Sequence, residues 1–233
     1  MVFTLGGKVM TNLNILYEDN HIIVVEKPAG ILSQADISND LDMLSLIKTY
    51  IKKKYNKPGN VYLGLVHRLD RNVGGVMVFA KTSKAASRLS EQVRNKKFKK
   101  EYICIVRGIL DNKKGHLENY LIKDTKLNKS SVTTSKLGKL AILDYEVKTE
   151  DKNKNLSLLH IDLKTGRHHQ IRVQLSNYGY PIYGDKKYDN TSNTNELYLY
   201  SYKLSFYHPT TKEYLTFTNY PKNNLWDILN NNL

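Results

Sequence analysis

An aspartate bracketed by two arginines is the first arrangement in this sequence that can do chemistry. Asp70 closes the run Val66-His67-Arg68-Leu69-Asp70, and Arg71 follows it. Cations so close favour the ionised carboxylate. An ionised, partly buried Asp is what a nucleophile or a general base must be. The cluster lies between a strand-like run and the flexible pair Gly74-Gly75, the kind of loop on which a rigid scaffold presents reactive groups. Spacing alone leaves open the alternative of a structural ion pair at a strand end.

A second cluster is Thr165-Gly166-Arg167-His168-His169-Gln170-Ile171-Arg172. Arg167 falls at a predicted helix start, where backbone N–H groups already attract anions. Arg172 lies about a turn and a half further on, and its guanidinium is long enough to hold a carboxylate with two hydrogen bonds. His168 and His169 read as local capping and packing. Adjacent histidines diverge on a helix and no Cys or carboxylate cluster completes a ligand set, so no metal site is expected.

Other chemistries lose on context. His67-Arg68-Leu69-Asp70 superficially matches a kinase catalytic loop, but the residue order is wrong and the companion elements are missing. No Walker-type loop occurs, and no GxGxxG follows a strand. The lone Cys104 sits in the apolar run Tyr102-Ile103-Cys104-Ile105-Val106, which reads as a packed thiol in a reducing compartment. No stretch approaches the roughly 18 apolar residues of a membrane span, and the start MVFTLGGKVM lacks the plan of a signal peptide. A cytoplasmic protein is expected, with monomer as the default state. Thirty-six Lys and Arg against twenty-two Asp and Glu leave a net charge of +14, which favours a polyanionic partner.

The elements that must position these clusters follow from periodicity. Asn14 to Lys27 reads as two strands about the turn Asp19-Asn20. Residues 43–55 form a basic amphipathic helix with Leu44, Ile47 and Ile51 on one face. Tyr62 to Asp70 and Gly75 to Ala80 are extended. Ser83 is a candidate cap for a helix that carries Ala86, Leu89 and Val93. Glu101 to Arg107, Leu143 to Val147 and Leu156 to Leu163 are strands, and residues 111–140 are polar with weak strand signals. A helix begins near His168 or His169 and stops at Gly179. Strands near 197–207 and 213–218 precede a short terminal helix with Trp226. Residues 34–42 and 187–196 read as exposed loops. Strands dominate without strict alternation, so an α+β fold with a mixed, mainly antiparallel sheet and flanking helices is predicted. It comprises a short lead over 1–12 and one catalytic domain over 13–233.

Four ordered blocks carry a resemblance along almost the whole chain. They are Tyr17 to Gly30 (YEDNHIIVVEKPAG), His67 to Thr82 (HRLDRNVGGVMVFAKT), Lys99-Lys100-Glu101-Tyr102, and Thr165 to Leu175 (TGRHHQIRVQL) continuing through Gly179 to Asp185 and Tyr188. Together they resemble the RluA-type family of RNA pseudouridine synthases. That resemblance implies the pseudouridine synthase fold with a central RNA-binding cleft. It implies Asp70 as the catalytic aspartate, Arg172 as its partner and Tyr102 as the residue on which the target base stacks. A packed strand tyrosine is the alternative for Tyr102. Arg68 would fill the space left by the flipped nucleotide or hold its phosphate, and His67, Arg167 and Lys100 complete the RNA-binding set. The partner implied is RNA, ribosomal first and transfer RNA second, with no cofactor, since the isomerisation involves no oxidation or energy input. A non-catalytic RNA-binding or ribosome-assembly protein that retains the fold is the alternative. Two departures stand out. Val73-Gly74-Gly75 replaces a hydroxyl-bearing sequence, and Gln174 replaces a frequent histidine. The sequence leaves no room before residue 14 for the S4 domain many relatives carry.

Overall fold

The structure, a computed structural model, describes the backbone of residues 3–5 and 8–10 and the full residues 13–38, 40–192, 194, 196–222 and 225–226. In chain order the elements begin with β1 (Phe3–Leu5), β2 (Lys8–Met10), β3 (Ile15–Glu18), β4 (Ile22–Lys27) and α1 (Met43–Lys54). Next come β5 (Gly64–Leu65), β6 (Gly74–Ala80), α2 (Ser83–Arg94), β7 (Lys99–Arg107) and β8 (Lys114–Asp124). Then follow β9 (Lys129–Thr133), β10 (Lys139–Asp151), β11 (Leu156–Leu163), α3 (Gln170–Asn177), β12 (Leu199–Tyr207) and β13 (Tyr214–Thr218). This is the predicted architecture of mixed, mainly antiparallel sheet with three helices.

The chain divides into two compact units: Met1–Phe98 with Lys203–Asn219, and Lys99–Tyr202 with Tyr220–Leu233. In the first unit β3, β4 and β6 pair antiparallel in that order, β5 pairs with the far end of β6, and β13 pairs with the second half of β12. Ile22, Ile23, Val24 and Val25 are all fully buried, as expected for a strand with apolar residues on both faces. One face of β4 and β6 (Ile22, Val24, Val76, Val78) packs with Ala85 and Leu89 of α2 and with Phe98, Leu204 and Phe206. Thr82, not Ser83, caps α2, accepting from Ala85 N at 3.1 Å. Asp42 caps α1 through Ser45 N at 3.0 Å, while Lys52, Lys53 and Lys54 lie at its negative end. The buried stripe of α1 is Met43, Leu46, Ile47 and Ile51, with Leu44 at its margin.

In the second unit the strand order is β7-β11-β10-β8-β9, antiparallel throughout. Ile103, Ile105, Leu156 and Leu158 pack against Tyr198, Tyr200, Tyr202 and Trp226. Val173 of α3 joins Leu121 and Ala141 in a smaller cluster. Three expectations change here. The polar stretch 111–140 forms β8 and β9, two strands whose exposed positions mask the alternation. The loop 187–196 is anchored, because Asp189 is buried and accepts from Arg107 Nε at 2.6 Å. The lead over 1–12 pairs Phe3–Leu5 with Lys8–Met10 as an antiparallel hairpin. Most of the predicted terminal helix lies outside the described residues. Its Trp226 is buried against Tyr198. Cys104 is a buried free thiol, pushed well above its ordinary pKa by burial. No described helix is long and apolar enough to cross a membrane.

Candidate active site

Asp70 lies in the first unit on a turn fastened from several sides. Leu69, just ahead of it, is buried, and both its backbone groups meet one hydroxyl: Ser33 Oγ accepts from Leu69 N at 3.1 Å and donates to Leu69 O at 2.8 Å. Val73 N donates to Asp70 O at 3.0 Å and closes the four-residue turn. Gly30 N donates to Arg71 O at 2.8 Å, and Arg71 Nε donates back to Gly30 O at 3.2 Å. Gly30 has φ +88°, a left-handed conformation that glycine adopts without strain. Arg71 also pairs with Asp40 at 2.8 Å.

Beneath this turn lies Lys27, a lysine with 0% exposure. Its ammonium donates to Pro28 O at 3.0 Å, Ile31 O at 2.7 Å and Arg71 O at 3.0 Å. Three acceptors require all three N–H bonds, so this geometry belongs to the protonated form. Burial pulls the Lys27 pKa down to about 7, against the charge of Asp70, which raises it, while Arg71 lowers it further. The outcome is a half-buried Asp70 beside an exposed Arg68.

His67, expected at the RNA surface, is turned inward. It is 9% exposed, its Nε2 accepts from Val78 N at 3.2 Å, and its ring lies 5.2 Å from Phe98. It ties the approach to the Asp70 turn onto β6. The Val73-Gly74-Gly75 departure is also accommodated by packing: Val73 is buried, and Gly75, second in β6, takes φ +138°.

Arg172 lies in the second unit, buried on α3. Its Nε and Nη2 fork Asp185 at 2.7 and 2.6 Å, and its guanidinium lies 5.1 Å from the centre of the Tyr188 ring. Such a fork fixes the plane of the guanidinium as well as its position. Asp185 follows Gly184, which has φ +84°; a Cβ there would stand 1.6 Å from Glu196 O. Tyr188 receives a hydrogen bond from Ser130 N at 2.7 Å, and its hydroxyl is 3.0 Å from His169 Nδ1.

The loop ahead of α3 is locked by two polar side chains. Gln170 Oε1 accepts from Arg167 N at 3.0 Å and from Thr165 Oγ1 at 2.8 Å, while its Nε2 donates to Ile142 O at 3.1 Å. Ile142 N donates to Thr165 Oγ1 at 2.8 Å. Arg167 is exposed and precedes α3 instead of opening it; its Nε donates to Leu140 O at 2.8 Å. His169 takes the N-cap position at φ 53° without a side-chain capping bond, and the His168 ring stacks on it at 3.8 Å. Burial, then the neighbouring Arg172, His168, Lys187 and Lys123, push the His169 pKa down to about 2, so this imidazole stays neutral.

Lys100 approaches the same loop: a Cβ on Gly166 would lie 3.0 Å from its Nζ, and burial lowers its pKa. Tyr102 is 6% exposed on β7, in register with Ile161. Gln174 stitches α3 to the sheet, donating to Asn119 Oδ1 at 2.9 Å and to Leu117 O and Ala141 O at 3.2 Å each. Among the described residues no group of three or more His, Cys, Asp or Glu side chains could hold a metal ion.

The structure thus gathers Asp70, Arg68 and His67 in one unit and Lys100, Tyr102, Arg167 and Arg172 in the other. Sequence reasoning assigned no roles to Lys27, Ser33, Asp185 or Tyr188. Three of them stand in the recognised blocks, and a charged residue inside the apolar run before Pro28 was the available signal for Lys27.

A family model described as RNA pseudouridylate synthase matches residues 21–177. The Ribosomal large subunit pseudouridine synthase C of Buchnera aphidicola subsp. Baizongia pistaciae is 35% identical over 221 residues, covering 90% of this chain and 67% of its own length. The Ribosomal large subunit pseudouridine synthase D of Borreliella burgdorferi is 34% identical, covering 82% of this chain and 60% of its own length. This chain therefore spans about two thirds of the length of these relatives. A solved human structure, RNA Pseudouridylate Synthase Domain Containing 4, aligns with TM-score 0.75 at 22% identity, covering 90% of this chain and 88% of that one.

Proposed function

The chain belongs to the RNA pseudouridylate synthase family, and on that premise we propose that it isomerises selected uridines in RNA with Asp70 as the reacting carboxylate. Ribosomal RNA is the favoured substrate, because several similar relatives are named for the large ribosomal subunit; transfer RNA stands second. The observation that carries the assignment to Asp70 is its mounting. Ser33, Gly30 and Lys27 all hold the backbone within one residue of it. Catalytic groups need that kind of fixed support, since small displacements are costly in rate.

The reaction breaks the C1′–N1 bond and remakes the link as C1′–C5. The carboxylate of Asp70 either attacks C1′ or removes the C2′ proton to give a glycal. After the uracil turns, C5 bonds to C1′ as the Asp70 ester breaks, or as C2′ of the glycal takes its proton back, and the C5 proton is lost while N1 gains one. Both routes need the ionised acid. We carry Arg172 as the cation that keeps it so and Tyr102 as the stacking residue, the roles the family pattern assigns. Extruding the nucleotide costs a few kcal/mol, and contacts from Arg68, Arg167 and Lys100 to RNA offset part of it. No redox or energy input occurs, so the proposal includes no cofactor. We place the enzyme in the cytoplasm as a monomer.

The test is tritium release from RNA carrying 5-tritiated uridine. Asp70→Asn is expected to abolish release while RNA binding stays within a few fold. Release at the wild-type rate would remove Asp70 from the chemistry, and binding without any release by the wild type would favour the non-catalytic alternative. Pseudouridine mapping with and without the gene would name the sites.

A further inference from the structure

We propose that the β8–β9 hairpin and the loop ahead of α3 form a docking surface, in which Lys123, Lys126, Lys129, Arg167 and Lys187 hold the phosphate backbone of the RNA. The proposal rests on the reading of the protein as an RNA-modifying enzyme and adds the element that grips the substrate.

The hairpin is fastened to that loop by several bonds. Ser130 Oγ donates to His168 O at 2.8 Å and lies 2.9 Å from His168 Nδ1, and Ser130 N donates to Tyr188 OH. Lys187 Nζ donates to Asn128 O at the hairpin tip at 2.9 Å. Lys129 Nζ lies 5.1 Å from the centre of the Tyr188 ring. Lys123 is the register partner of Ser130, so the two side chains share one face. These bonds bring cations from three stretches of chain onto one rigid patch.

The side chains are available. Lys123, Lys126, Lys129 and Arg167 are exposed, and Lys187 is half-buried. Of the nearby acids, Asp185 is buried against Arg172, and the exposed Asp124 accepts from Lys126 N and Leu127 N through Oδ1. The first turn of α3 contains no acidic residue. The potential there is positive enough to be felt by a neighbour, because Lys187, Lys123 and Arg172 all disfavour a proton on His169. A run of cations that outnumbers the exposed Asp124, on a fixed hairpin, suits a regular array of phosphates.

The test measures binding of a fluorescent RNA stem-loop at several salt concentrations. The Lys123→Gln, Lys126→Gln, Lys129→Gln triple variant is expected to flatten the slope of log K against log salt by roughly 2–3, and to weaken binding about a hundredfold near 0.1 M salt. The Lys→Arg triple variant keeps both, and thermal melting checks that each variant is folded. A control triple, Lys48→Gln, Lys52→Gln, Lys57→Gln on or near α1, carries the same charge change. Equal losses in both triples would overturn the patch in favour of net charge. So would an unchanged slope in the hairpin triple. Tighter binding of polyglutamate than of the RNA would overturn the assignment to nucleic acid. A wild type that binds the stem-loop through these lysines yet releases no tritium would overturn the enzymatic reading and leave the patch standing.

Discussion

Asp70 depends on a residue that never reaches solvent. The Lys27 ammonium donates to three carbonyls, one of them Arg71 O. Lys27→Met removes those donors and leaves the carbonyls without them, so the turn loosens. We expect turnover to fall by about tenfold to a hundredfold, the range for a displacement near 1 Å, with circular dichroism unchanged. Lys27→Arg should not restore it, since a planar guanidinium cannot direct three bonds as an ammonium does. The pH dependence has a definite sign. The folded pKa lies near 7, below the ordinary lysine value of 10.5. The three-donor form is therefore complete below about 7 and is lost as pH rises through it, giving an alkaline limb in the turnover profile that Lys27→Met lacks. For stability the sign is opposite: between about 7 and 10.5 the unfolded chain holds the proton more tightly, so this group alone raises stability with pH there. The clustered charges of 66–71 and 165–172 were visible in the sequence because they are local. The role of His67 was not, because its direction is set by Val78 on a neighbouring strand.

At the level of elements, Glu18 joins β3 to α1 and to the end of β6. Its carboxylate accepts from Lys54 at 2.7 Å, Lys81 at 2.7 Å, Tyr55 at 2.8 Å and Tyr50 at 2.9 Å. Burial would raise its pKa, but the four donors outweigh burial and hold it at about 2. A depressed carboxylate stabilises the fold above its unfolded pKa, near 4.5, and that contribution is lost as pH falls from there toward 2. Glu18→Gln should cost about 2 kcal/mol at pH 7, after allowance for screening at the exposed lysine. Urea unfolding should show the difference between mutant and wild type shrinking below pH 4.5. Most elements were legible from periodicity: β4, α1, β7 and β11 follow it closely. The hairpin of β8 and β9 was not, since its outer face carries His116, Glu118 and Ile122 at exposed positions and its inner face only Leu117 and Leu121. A strand covered on one side by α3 and open on the other gives a diluted alternation.

For the molecule as a whole, the excess of positive charge sets how RNA is held. With +14 net charge and several lysines and arginines free to meet phosphates, affinity should fall about a thousandfold between roughly 50 and 200 mM salt, a slope typical of six or more contacts. Fluorescence anisotropy with one RNA across that range checks this; a flat response would mean that backbone contacts are minor. Charge, the four blocks and the strand-rich pattern were enough to identify the family and the fold class, because each is a property of composition or of residues close in sequence. Two things came only from the folded chain. One is that Lys27, 44 residues from Arg71, supports the turn of Asp70. The other is that Asp185 and Tyr188, 13 and 16 positions beyond Arg172, fix its guanidinium. Both depend on where loops meet after the strands have paired, and that meeting is set by packing and by the demand that buried polar groups find partners.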